Sequence, residues 1–243
     1  MNRILWHQTE VLAERYLEVM ASDAGNTFLL LAQAPFIAVC IVLVWRDVAS
    51  PTDALYFVMA LTAVWFGAIN ACREIVKERP IFHRERLVGE DPTAYLLSKL
   101  IVLAMLGFVQ CLCLVFMVNH EITLGGPPLL LFAFLYAASL AGTALGLCLS
   151  AIVATSERAV ACVPLLLLPQ ILFSNVILSH EHASDLIKWI EDLTIVAWAY
   201  DGLKEAIRAQ PSGWHMLGDG VVLVLMGMAF GLLPWILLKH KRG

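Results

Sequence analysis

Charge is what this sequence has least of. Only 15% of its 243 residues are Asp, Glu, Lys or Arg, against about 25% in an ordinary soluble domain, while 60% are hydrophobic. With a mean hydropathy of +0.79, the polar side chains cannot coat a globule. That excludes a soluble enzyme and a disordered chain. The net charge of −4 runs against a nucleic-acid partner. His-Glu-x-x-His and Gly-x-Ser-x-Gly are absent, so intramembrane proteolysis lacks its parts. The six cysteines, Cys40, Cys72, Cys111, Cys113, Cys148 and Cys162, fall in or at the ends of apolar runs, so no disulfide framework is implied. Cys111 and Cys113 are two apart, on different faces of a helix, and make no metal pair. The first two dozen residues are polar and charged, and no signal peptide is expected there.

What the sequence does have is apolar length. Six runs, 26–45, 54–72, 94–118, 128–154, 159–178 and 220–238, each approach the ~20 residues that cross a bilayer as a helix. The expected fold is therefore an all-α polytopic membrane protein of six transmembrane helices. A preceding segment, 1–25, forms a separate cytoplasmic helix, and residues 26–243 form the membrane domain. Six crossings put both ends on one side. Placing the N-terminus inside leaves only Arg46, Lys188, Lys204 and Arg208 of the sixteen Lys and Arg outside. Both termini are thus expected to be cytoplasmic.

Three polar segments interrupt this pattern. Residues 3–20 read as an amphipathic helix, with Leu5, Leu12, Tyr16 and Val19 on one side and His7, Glu10, Glu14 and Glu18 on the other. Glutamates every four residues repel one another and sit more comfortably beside a basic partner, so this stripe is expected near the basic loop that follows the second span. That loop, 73–92, is dense in charge of both signs around Pro80, Ile81 and Phe82. An apolar anchor with a polar rim is what a protein docking surface needs, and Ile81 and Phe82 are expected to be exposed. Asp91-Pro92 reads as the cap and first turn of the third span. The third segment, 179–219, is an outer one. It has helical periodicity (Leu186, Ile187, Ile190 and Leu193, then Trp198, Leu203 and Ile207) and aromatics of headgroup-level type, which predicts two short re-entrant or interfacial helices. His180 and His182 alone are too few for a metal site.

Within the spans charge is nearly absent. Lys99, a turn or two inside the third, is expected to reach back to the inner surface. No acidic pair at midplane carries protons or sodium, which argues against a secondary transporter. The fifth run contains Pro164 and Pro169, which free backbone groups of the kind tolerated beside a cavity. In the fourth, Gly142-Thr-Ala-Leu-Gly146 has the spacing for close helix packing.

The loop Glu78-Arg-Pro-Ile-Phe-His-Arg-Glu85, then Gly89 and Ala94-Tyr-Leu-Leu-Ser-Lys99, resembles the segment after the second span in the G (White/pleiotropic-drug-resistance) subfamily of ABC exporters. Leu168-Pro-Gln-Ile-Leu-Phe-Ser174 resembles that subfamily's fifth span. The resemblance implies that the N-terminal helix leads in from an ATPase. It implies that Glu78, Arg79, Phe82, Arg84, Glu85 and Arg86 couple to that ATPase. Phe66, Leu168, Ile171 and Phe173 would face a substrate cavity, with Val176 and Ile177 as an apolar plug above it. Asn175 stands where the subfamily usually has glycine, and these residues contain neither Gly-x-x-x-x-Gly-Lys-Ser/Thr nor Leu-Ser-Gly-Gly-Gln. No cofactor is therefore expected on this chain; ATP and Mg would sit on the partner ATPase, as a subunit or fused domain.

The expected function is that of a permease in the plasma (bacterial inner) membrane. It would pair with a second transmembrane half, as a homodimer, and export an amphipathic or lipid-like cargo by alternating access. The alternative is a membrane scaffold that transports nothing.

Overall fold

The computed structural model describes residues 2–48, 51–174, 176–177, 184–208, 210 and 212–240. Among the described residues there are helices and no strand: α1 (Asn2–Ser22), α2 (Ala24–Trp45), α3 (Asp53–Ala71), α4 (Arg79–Leu87), α5 (Pro92–Glu121), α6 (Pro128–Ile152), α7 (Ser156–Leu172), α8 (Asp185–Asp192), α9 (Ile195–Ala206) and α10 (Gly213–His240). In lipid every backbone N–H and C=O must be bonded within the chain, which leaves helix as the form for each apolar run. Five helices, α2, α3, α5, α6 and α10, are long and apolar enough to span a bilayer. The fifth apolar run behaves differently. Its helix, α7, has 17 residues with Pro164 and Pro169 inside and ends at Leu172, several residues before the expected end at 178. At 1.5 Å per residue it is about 25 Å long, short of the ~30 Å hydrocarbon layer.

The centre of the bundle is the α3–α6 pair. A Cβ on Gly142 would lie 2.5 Å from the Val64 carbonyl oxygen, and one on Gly146 would lie 2.6 Å from that of Ala68. The two backbones touch because these positions carry no side chain. Around the pair, α5 carries α2 on its outer side, α10 packs along α6, and α9 wedges between α3, α6 and α10. Burial follows position: 72% of the apolar window of α3 is buried, against 17% in α2 and in α10. Asp91 caps α5 as expected, its carboxylate accepting the Thr93 N–H at 2.7 Å.

Residues 73–92 are not a simple loop. Pro80 at the start of a helix nucleates α4, nine residues long, which lies beside α1 and α5 at one end of the bundle. The opposite end carries α8 and α9, helices that the periodicity within 179–219 anticipates. His180 and His182, like Asn175, Lys241 and Arg242, lie outside the described residues.

Candidate functional site

The α4 end holds most of the buried ionic chemistry among the described residues. Glu78, at the cap of α4, accepts from Lys99 Nζ at 2.6 Å and from the Tyr95 hydroxyl at 3.3 Å. Lys99 is 2% exposed. It does not reach back to the surface, because Glu78 and, at 3.9 Å, Glu74 neutralise it in place. The Tyr16 ring of α1 closes over it, 3.6 Å from ring centroid to Nζ. Lys77 in turn donates to Glu74 at 2.7 Å. A buried ammonium is tolerated only with paired charge and hydrogen bonds around it, and here both are supplied by three elements at once.

α4 is fastened to the bundle by its arginines. The Arg79 guanidinium donates to the carbonyls of Ser150, Ala151 and Val153 at 3.2, 3.0 and 2.8 Å, satisfying the open C-terminal end of α6. Arg86 does the same for α10, donating to the Leu238 carbonyl and, at 2.7 Å, to that of Lys239. The Ser150 hydroxyl accepts the N–H groups of Ile75 and Val76, each at 3.0 Å. Phe82, expected as an exposed anchor, is 1% exposed and packs on Tyr95 with ring centroids 4.6 Å apart. It is inward because it shares a helix face with the residues that meet α5. The exposed apolar residues are Leu87 and Val88, each 87% exposed, with Ile81 beside them.

α1 meets α4 through a charge pair of unexpected polarity. Arg15 donates to both oxygens of Glu85, at 2.5 and 3.1 Å, so the base stands on α1 and the acid on α4. Glu10, Glu14 and Glu18 face outward, with Arg84 exposed as well. The hydrogen bond from Arg15 holds the Glu85 carboxyl below its ordinary range. Glu90, beside it, is pushed up to about 7, first by burial and then by the charge of Glu85. Neither Glu90 oxygen has a hydrogen-bond donor, and both are buried. Between α1 and α4 opens a pocket of about 300 Å³ lined by His7, Val11, Arg15, Glu85, Val88 and Glu90, among others.

The expected cavity residues are scattered. Phe66 is 0% exposed, locked in the α3 core. The half-exposed stripe of α3 is Val58, Leu61, Trp65 and Ile69, spaced as one helix face. On α7, Leu168 is exposed and Ile171 packs on the core, while Phe173 is half-buried beyond the helix end. Val176 is half-buried and Ile177 exposed. None of these lines the two grooves that run along α6 and α10.

Two buried polar features were missed by reading charge alone. Gln33, Asn70 and Gln110 form a chain of amides joining α2, α3 and α5: Gln33 donates to Asn70 at 3.1 Å, Asn70 to Gln110 at 2.7 Å, and Gln110 to the Leu30 carbonyl at 2.6 Å. Gln170, one residue after Pro169, accepts the Val196 N–H at 3.3 Å and so ties α7 to the first turn of α9. Isolated amides inside apolar runs were the available signal. Among the described residues no group of three metal-ligating side chains occurs.

Residues 7–207 match the family model described as ABC-2 type transporter, membrane domain. The chain is also similar to the ABC transporter ATP-binding/permease protein Rv1747 of Mycobacterium tuberculosis, with 28% identity over 191 residues. That alignment covers 70% of this chain and 22% of the relative, so the chain spans under a quarter of the length of that protein.

Proposed function

Because the chain belongs to the ABC-2 type transporter membrane-domain family, and so is a multi-pass membrane protein with a transport permease role, we propose that it works as the permease of an ATP-driven exporter of the G-subfamily kind. ATP and Mg are bound by a partner ATPase or a fused domain, and the relative's printed name, ATP-binding/permease, supports that pairing. Two such permeases assemble around a slot lined by the outward stripe of α3 and by α7, which completes a sixth crossing. α8 and α9 shape its outer mouth as re-entrant helices. Both termini and α4 lie in the cytoplasm of a plasma membrane, in keeping with the Lys and Arg asymmetry. A slot faced by Trp, Leu and Ile suits an amphipathic or lipid-like cargo.

The observation that carries this reading is the surface at α4. Leu87 and Val88 project from the bundle, and Val88 lines the pocket that also holds Arg15, Glu85 and Glu90. An ATPase seats on these apolar residues. Its movement is passed inward by Arg79 to α6, Arg86 to α10, Glu85 to α1 and Glu78 with Phe82 to α5. The free energy enters as a difference in nucleotide affinity between two arrangements of the pair.

The test is Leu87→Asp with Val88→Asp in the complex with its ATPase. Neither side chain supports the bundle, so the variant should insert and fold as wild type while ATPase retention and ATP-driven transport fall at least tenfold. Wild-type retention and transport would sink the docking role of α4. An ATPase-bound wild-type complex that moves no cargo under turnover would favour the scaffold instead.

A further inference from the structure

A wide apolar groove lies apart from α4. It lies on the outer face of the bundle between α5, α6 and α10, has a volume of about 600 Å³, and is walled by side chains such as Leu100, Ala141, Leu223 and Leu232. A second groove, of about 390 Å³, continues it along α6 and α10, the two sharing Ala137. Together they follow α10 from Gly213 to Leu232.

Gly213, Gly220 and Gly231 of α10 line these grooves and differ in kind from the glycines of the bundle centre, whereas Gly227 lies in ordinary contact with Ala141 of α6. Glycine in a spanning helix ordinarily lets two backbones approach, as Gly142 and Gly146 do. A Cβ on Gly213, Gly220 or Gly231 would meet nothing within 4 Å. These positions leave space unfilled. An open hydrocarbon-walled channel forfeits dispersion contacts along its whole lining unless something apolar occupies it.

The inner end of the groove is polar and positive. Trp235 donates from its indole to the Thr93 hydroxyl at 3.2 Å, fixing α10 to the start of α5. Lys239 Nζ stands over that indole at 4.6 Å from the ring centroid. Lys239 is exposed, and no described carboxylate lies within ion-pair distance of it. It falls two turns beyond Leu232 on the same helix face. An ordered Trp with an unpaired Lys at the mouth of an apolar channel is the arrangement that meets a phospholipid at headgroup depth. The sequence continues this charge in Lys241 and Arg242. A helix from a second copy would fill the channel but would leave Lys239 without a counter-charge.

We propose that the α6–α10 groove holds a resident anionic phospholipid from the leaflet at the α4 end, with one acyl chain along the glycine face of α10 and the phosphate paired to Lys239. The lipid is distinct from any cargo in the slot, and the inference does not depend on the transport reading.

The full chain is reconstituted in nanodiscs of equimolar phosphatidylglycerol and phosphatidylcholine, re-extracted in mild detergent, and its retained lipid counted by native mass spectrometry. Wild type should keep about one phosphatidylglycerol per chain, with a severalfold preference over phosphatidylcholine. Gly220→Leu with Gly231→Leu fills the groove without a clash and should lose the retained lipid while the unfolding temperature holds or rises. Lys239→Gln should still retain a lipid but without headgroup preference. Retention and preference at wild-type level in both variants overturn the proposal. So does conversion of a dimer to a monomer in the glycine variant, which would assign the groove to a second copy. Should the glycine variant fail to fold, unchanged preference in Lys239→Gln is sufficient to reject it.

Discussion

The two ends of this bundle are held together by opposite means. At the α4 end a nine-residue helix grips four others through specific polar bonds: Arg79 on α6, Arg86 on α10, Glu85 on α1, and Glu78 on Lys99 of α5. At the other end α7 carries two prolines within its 17 residues, and among the described residues its side-chain tie to α9 is the bond from Gln170. There α9 is tied to α3 by the exposed Lys204–Asp53 pair, at 3.0 Å. Hydrogen bonds of fixed direction make the first end move as a unit, whereas the second has backbone groups freed by proline and a largely exposed helix face. On the proposed reading, a displacement applied at α4 would be transmitted stiffly and released where α7 and α9 meet.

The sharpest way to break this contrast is at the buried pair. Glu78→Gln leaves Lys99 buried with only Glu74, 3.9 Å away, and should cost about 3–5 kcal/mol. Unfolding followed by urea or heat in detergent measures it. Adding Lys99→Met should recover most of the loss, since it removes the orphaned ammonium. A smaller loss is expected from Arg79→Ala, which uncaps α6 and should cost about 1–3 kcal/mol. Arg208→Ala at the opposite end, where the arginine of the pair with Glu205 is largely exposed, should cost less than about 1 kcal/mol. Equal losses from the two arginine variants would erase the distinction between the ends.

The smallest effect is with pH. Glu90 keeps its proton in the folded chain up to about 7 but has an ordinary value of 4.5. The folded state thus binds more protons between those values, and its stability falls as pH rises through that window. Glu85, held low by Arg15, works in the opposite sense but only below 4.5, so it leaves this window to Glu90. Protection factors in α4, corrected for the intrinsic pH dependence of amide exchange, should fall modestly from about pH 5 to about pH 7.5, and Glu90→Gln should flatten that fall.

The apolar helices were legible because lipid leaves such runs no other fold, and the Gly142–Gly146 contact and the Asp91 cap followed from local spacing. α4 was half legible: Pro80 marks a helix start, but the surrounding charges suggested a loop. The inward turn of Phe82 was hidden because its partner, Tyr95, belongs to the next helix. Arg79 bonds carbonyls more than seventy residues away, and no local pattern announces a backbone acceptor. The polarity of the Arg15–Glu85 pair was missed because a glutamate stripe is conspicuous and a lone arginine among glutamates is not. Phe66 and Trp65 differ by one position, about 100° of helix rotation, which is finer than any boundary read from hydropathy.

The division of α4 into an inner and an outer set also bears on retargeting. Arg79, Arg86, Glu78 and Phe82 are bonded or packed into this bundle, whereas Leu87 and Val88 are each 87% exposed. If an ATPase seats on 87–88 as proposed, a chimera meant to run this permease from a foreign motor should exchange only that tip and leave the rest of the segment native. Transplanting the whole segment would swap the adapter and damage the machine it plugs into.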